Sequence, residues 1–233
     1  MTTTTDLRLT GEFALTVGGR AHPVPHSTER VLAYLALAGR PVTRGRLAGT
    51  LWSDSTEATA GKSLRTALWR LHRAGVDIVG GAADRLTLDP AVTVDVADLM
   101  ELARRLVRQP DPDALAGLDR LIDAIEVLPD WDDHWVVADR ERFRLLRLEA
   151  LESAGTTLAG HGHLGQALIV ALTIVHADPL RESARRLLVD LHVTRGNIAE
   201  AIRCYQDYAR LLRTEFGAVP SAEMRRLIEP LRR

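Results

Sequence analysis

The apolar positions of residues 57–75, EATAGKSLRTALWRLHRAG, recur at helical spacing. At 100° per residue, Leu64, Ala67, Leu68 and Leu71 fall on one side. Lys62, Arg65, Thr66, Trp69 and Arg73 fall on the other, with Arg70 near its edge. The charges at 62, 65, 70 and 73 are all positive, and no acid interrupts them. A basic amphipathic helix of this length can lay its polar face into a DNA major groove. An isolated one is as often a solvated surface helix, so the flanking pattern decides.

Upstream, LRLTGEFALTV (7–17) is β-rich and is followed by Gly18-Gly19, a hairpin signal. Ser27 and Thr28 can cap a first helix with Val31, Leu32, Leu35 and Ala36 on its apolar face. Gly39 and Pro41 end it, and Thr43 opens a second helix with Leu47 and Leu51 inward. The acidic loop WSDSTE leads into the 57–74 helix, and VDIV-GGAAD-RLTL closes as a hairpin turned at Gly80-Gly81. Strands, three helices and a hairpin predict a winged helix-turn-helix preceded by a small β-platform.

From Asp95 onward no strand pattern remains, and Pro110, Pro112, Pro129, Pro179 and Pro220 punctuate helical stretches. GHLGQALIVA (162–171) aligns with GNIAEAIRCY (196–205) at an offset of 34 residues, and each is followed by a proline-marked turn and a second helix. A 34-residue helix-pair period is the tetratricopeptide signature. A diverged earlier copy is expected over 113–160. Ala167 and Ala201 fit the small position where paired helices approach, and Leu168, Leu172, Ile202 and Leu211 fit the apolar seams. The expected fold is therefore mostly α: a winged helix-turn-helix over 1–94, then an all-α tetratricopeptide-like domain over 95–233.

Composition changes this picture in one respect. The net charge of −1 argues against a nucleic-acid binder, but residues 1–90 carry 11 Lys+Arg against 8 Asp+Glu, and the remainder 19 against 23. A basic N-terminal part joined to an acidic C-terminal part suggests divided labour. The single cysteine, Cys204, excludes an intramolecular disulfide and any multi-cysteine metal site. MTTTTDLRL lacks the features of a signal peptide, and no apolar run is long enough to span a bilayer. The expectation is a cytoplasmic, nucleoid-associated protein.

Other motifs lead nowhere catalytic. Ala60-Gly61-Lys62-Ser63 resembles the end of a phosphate-binding loop, but Thr56 stands where that motif needs glycine, and no buried strand precedes it. The eight histidines show no metal-ligand spacing, and DWDD (130–133) lacks the spacing of a calcium loop. No catalytic residue, metal or cofactor is expected. Arg44 and Arg46, at the start of the second helix, are candidate phosphate clamps, with ordinary surface arginine as the equal alternative. Ser63 joins the groove-helix candidates, and Arg85 on the wing could reach a minor groove.

Two stretches then carry a resemblance. LPDWDDHWVVADRERFRLLRLEALE (128–152) resembles the start of a bacterial transcriptional activation domain. SLRTALWRLHRAG, followed by a hairpin and VTVDVADL, resembles the winged helix that precedes it. Together they are similar to the Streptomyces antibiotic regulatory protein family over roughly 7–230. That resemblance implies an OmpR-type winged helix fused to a tetratricopeptide-like domain, activating clustered genes for secondary metabolites such as antibiotics. It also implies binding to direct repeats in double-stranded DNA, recruitment of RNA polymerase holoenzyme, and a homodimer or a dimer formed on DNA. By position, Lys62, Arg65, Thr66, Trp69, Arg70 and Arg73 inherit candidate DNA contact. The loop at 52–57, with Trp52, Ser53, Asp54 and Glu57, inherits candidate polymerase contact. Trp69 departs from the family, where many members carry a small polar residue. Its ring either alters base preference or tucks under the platform. Larger relatives add an ATPase and sensor repeats, so nucleotide sensing is not expected within these 233 residues. The rival reading is an interaction adaptor in which the helical domain binds a partner and the winged helix is only structural.

Overall fold

The computed structural model describes residues 4–124 and 126–232. They form two compact units interleaved along the chain: 1–101 with 124–145, and 102–123 with 146–233. The segment 124–145, placed by sequence in the second domain, thus groups with the first.

In the first unit, β1 (Thr5–Arg8), β2 (Ala14–Val17), β3 (Arg20–Ala21) and β7 (Val92–Val94) form a sheet in the order β3-β2-β1-β7. β1 pairs antiparallel with β2, Leu7 opposite Leu15, and parallel with β7, Leu7 opposite Val94. The alternation of TDLR puts Thr5 and Leu7 inward and Asp6 and Arg8 outward. Asp95 seals the sheet to the helix that follows. Its carboxylate accepts from the Leu9 and Thr10 amides at 2.8 and 2.9 Å, and from the Thr10 hydroxyl.

Beside this platform lie α1 (His26–Ala38), α2 (Arg44–Leu51) and α3 (Glu57–Arg73). Val31, Leu35, Leu47, Leu51, Ala60, Leu64 and Ala67 form one core with Val42 and Leu86. The expected cap of α1 is corrected: the helix begins after Pro25 without a side-chain cap. Thr28 is buried instead, and its hydroxyl donates to the Ala67 carbonyl at 3.4 Å. Gly39 ends α1 in the left-handed conformation, as the sequence predicts, and Thr43 caps α2. The wing is β5 (Val79–Gly80) with β6 (Arg85–Leu88), and β6 also pairs with β4 (Val42–Thr43). Gly81 turns it at φ +150°, where a Cβ would overlap the Arg85 carbonyl.

α4 (Asp95–Arg108) and α7 (His134–Gly160) run across the division between units. The second unit also holds α5 (Pro112–Ala116), α6 (Leu118–Ile122), α8 (Leu164–Ala177), α9 (Glu182–Thr194), α10 (Ile198–Phe216) and α11 (Ala222–Ile228). α8 packs on α9, and α9 on α10 and α11. The two stretches that align at an offset of 34 residues share two local features. Gly162 and Gly196 both take left-handed turns, at φ +80° and +75°, and Ala167 and Ala201 are both fully buried. The predicted seams are out of register. Leu172 is 49% exposed, and Leu168, Ile202 and Leu211 are only half-buried. The buried stripes are Ala167, Val170, Ala171 and Ile174 on α8, and Ala201 and Tyr208 on α10. The α8 sequence LGQALIVALTIVHA is apolar nearly all round, so periodicity alone cannot choose its inner face. No helix among the described residues is long and apolar enough to cross a membrane.

Candidate nucleic-acid interface

α3 owes its position to one apolar stripe. Ala60, Leu64, Ala67 and Leu71 are buried, and Leu68 is partly so. Thr56 caps the helix by accepting from the Thr59 amide, and Arg70 and Arg73 sit in its last turn, where positive charge suits the helix dipole. With the inner face committed, Lys62, Arg65, Thr66, Trp69, Arg70 and Arg73 are all exposed, and Ser63 is half-buried. Among the described residues, none of these four basic side chains makes an ion pair.

Lys62, Arg65, Thr66 and Trp69 line one shallow depression on the outer face. The Thr66 hydroxyl donates to the Lys62 carbonyl at 3.0 Å, so its proton is spent within the helix and its oxygen remains an acceptor. Trp69 does not tuck beneath the platform. Its ring is 55% exposed, and the Arg73 guanidinium lies over it at 5.1 Å. Such stacking holds a planar cation on a rigid support. The Gly61-Lys62-Ser63 tripeptide lies inside α3 rather than in a loop, so it forms no phosphate cradle.

The neighbouring candidates flank this helix. Arg44 is half-buried at the start of α2, where its amide donates to the Asp84 carbonyl of the wing at 2.8 Å; Arg46 is exposed. Arg85 is exposed on β6, opposite Thr43. In the loop before α3, Ser53, Asp54 and Glu57 are exposed. Trp52 differs: it is half-buried against the core, with the Arg30 guanidinium 5.9 Å from its ring centre. Among the described residues, no group of three potential ligands could hold a metal ion.

The helical half carries the deciding likeness. The bacterial transcriptional activator domain matches residues 96–232. The chain belongs to this family. Regulatory protein AfsR from Streptomyces griseus is 29% identical over 219 residues, covering 87% of this chain and 22% of that protein. Regulatory protein AfsR from Streptomyces coelicolor is 29% identical over 221 residues, covering 87% of this chain and 21% of that protein. The chain thus spans about a fifth of the length of these relatives. Mycobacterium tuberculosis EmbR, solved in complex with a low affinity phosphopeptide, shares the fold. Its TM-score is 0.77 at 21% identity, with 99% of this chain and 65% of that one covered. The family expected for the helical half is thus the one found, and the two Streptomyces regulators are similar to the chain over most of its length.

The match begins at residue 96, so 128–152 lies inside the domain and not at its start as the sequence suggests, and the stretch 126–140 has a structural role that sequence reasoning missed. Arg140 donates to the Val127 and Trp131 carbonyls at 2.9 and 3.2 Å and to that of Leu128, and pairs with Glu126 at 3.1 Å. It thereby fixes the loop that docks on the platform, where the Leu128 amide donates to the Leu9 carbonyl at 2.9 Å. Trp131 stacks on Phe13 and meets His26 edge-on, and Trp135 meets Tyr34 edge-on. Asp133, considered above as part of an acidic motif, pairs with Arg30 of α1 at 2.5 Å and accepts from the Trp135 indole at 3.0 Å. The signal for this role was the density of tryptophan in a chain with only four.

Proposed function

We propose that the chain is a sequence-specific activator that reads double-stranded DNA through the outer face of α3. The observation that carries this reading is the exposed, unpaired basic row Lys62, Arg65, Arg70 and Arg73 on a helix whose opposite face is locked into a helix-turn-helix core. Arg65 and Arg73 contact bases or phosphates, Thr66 and Ser63 accept or donate nearby, and the Trp69 ring orients Arg73 and excludes water. Arg44 and Arg46 clamp the phosphate backbone, and Arg85 on the wing reaches the adjoining minor groove. The exposed Ser53, Asp54 and Glu57 offer an acidic surface to RNA polymerase holoenzyme.

One winged helix reads few base pairs, too few for discrimination against a genome of competing sites. Two protomers bound head to tail on direct repeats, about 10–11 bp or a multiple apart, would supply the rest. The 34-residue repeat of α8 and α10 supports a tetratricopeptide-like scaffold in the helical domain. The likeness to AfsR supports a target among secondary-metabolite genes, including antibiotic clusters.

Selection of bound duplexes from a random pool, followed by footprinting, tests this reading. The expected result is a direct repeat with half-sites on one face of the helix. Inserting about five base pairs between half-sites should abolish cooperativity, and a full turn should restore it. A palindrome, or affinity independent of spacing, contradicts the head-to-tail arrangement.

A further inference from the structure

The second unit contains a cavity remote in sequence from every residue assigned to DNA. Its volume is about 590 Å³, within the range of roughly 300–1,000 Å³ typical of small-molecule sites. Pro110 and Pro112 end the run of α4, so the chain continues as two short helices rather than one long one. Leu115 and Leu118 from these, with Ile122, form one wall, and Leu158, Ile169 and Val170 form another. The first wall is held in place from below. Arg147 donates to the Leu121 and Ile122 carbonyls at 2.6 and 2.9 Å, so the end of α6 is fixed.

Polar groups are few. Asp119, His161, His163 and Gln166 also line the space. His161 Nδ1 lies 2.8 Å from the Thr157 carbonyl. That bond places a proton on Nδ1 and leaves Nε2 as the free hydrogen-bonding atom of the ring. His163 stands at the head of α8, where no side chain caps the helix. Ile169, on the lining, is 55% exposed, a large apolar residue that the packing of the unit does not account for.

We propose that this cavity binds a neutral, mainly apolar small molecule with one hydrogen-bonding end. The apolar walls select the body of the ligand through area removed from water. A carboxylate, two imidazoles and an amide offer both donors and acceptors, which suits a hydroxyl, carbonyl or amide. A charged head would lose hydration beside the apolar walls, and an anionic one would also meet the Asp119 carboxylate. The proposal is independent of the DNA reading, because it concerns residues and a readout that involve no DNA.

The test uses the whole chain and N-phenyl-1-naphthylamine, a neutral apolar dye with one N–H donor, whose fluorescence rises in apolar surroundings. The control is its sulfonated analogue, 1-anilinonaphthalene-8-sulfonate, which shares the skeleton and adds a charge. The expected result is saturable binding of one neutral dye per chain, with the sulfonate weaker by about tenfold or more. Ala116→Trp, at an exposed position on the lining, fills the space and should weaken the neutral dye by about tenfold while leaving the melting temperature unchanged. If that variant does not fold, Ile169→Asp at the exposed rim serves instead and should have the same effect. Absence of one-to-one binding, or binding that survives the folded variant, overturns the site. Equal or tighter binding of the sulfonate overturns the neutral ligand class.

Discussion

The guanidinium of Arg73 lies over the indole of Trp69, 5.1 Å from its centre, on the outer face of α3. Both residues are exposed, so the stacking contributes only about 0.5–1 kcal/mol to the fold. Its importance is geometric: the ring limits where Arg73 can point. Trp69→Ala should therefore melt within a few degrees of the parent yet select a different set of duplexes from a random pool. The same selected sequences from parent and variant would show that Trp69 has no part in readout.

Arg30 and Asp133 form the opposite case, a pair whose side chains are 20% and 14% exposed. The same carboxylate also accepts from Trp135, and Arg30 lies against Trp52. Removing one partner strands a desolvated charge and costs about 3–5 kcal/mol. Asp133→Ala and Arg30→Ala should each lower the melting temperature clearly, and the double variant should lose less than the two single losses combined. Additive losses would mean that the two side chains act separately.

Tyr208 links α10 to the start of α9 and to α11. Its hydroxyl lies 3.3 Å from Glu182, whose carboxylate also accepts from the Ser221 amide at 3.0 Å. Burial first, and the adjacent Glu182 charge second, push the Tyr208 hydroxyl up from 10.0 to about 12. The folded state holds this proton more tightly than the unfolded chain, so its contribution is present below pH 10 and is lost as pH rises toward about 12. Urea midpoints should fall across that interval. Tyr208→Phe should flatten the fall, and an unchanged profile would place the titration elsewhere.

The register of α8 and α9 is checked by a contrast. Leu188 is 2% exposed and Leu172 is 49% exposed. Leu188→Ala should cost roughly 2–5 kcal/mol, whereas Leu172→Ala should stay within about 0.5 kcal/mol. Similar losses for both would restore the inward Leu172 that the sequence alone suggests.

That contrast also shows where sequence reasoning stops. The α3 stripe was legible because Leu64, Ala67 and Leu71 recur at helical spacing among Lys62, Arg65, Arg70 and Arg73, leaving one possible inner face. α8 offers Leu, Ile and Val on every side, so the choice fell to helix–helix packing, which prefers Ala167 and Ala171 where helices approach closely. Thr28 was a sound cap by residue type, but tertiary burial against Ala67 took it. The return of 124–145 to the first unit depends on Leu128 bonding to Leu9 and Asp133 to Arg30 across long sequence separations, which no local pattern encodes. The basic face of α3 follows from residue type and helical spacing, whereas the outward path of Trp69 is set by its stacking with Arg73.

The most direct measurement is fluorescence anisotropy of a selected duplex and a scrambled one, titrated with the parent chain and with the folded Arg65→Ala/Arg73→Ala variant at several salt concentrations. Both arginines are exposed, so the variant should retain the fold. The account predicts that it loses about 1–3 kcal/mol of preference for the selected duplex per base contact removed, or a salt slope lower by about one unit per phosphate contact removed. Unchanged affinity, preference and salt slope in the folded variant would take α3 out of the interface and contradict the account.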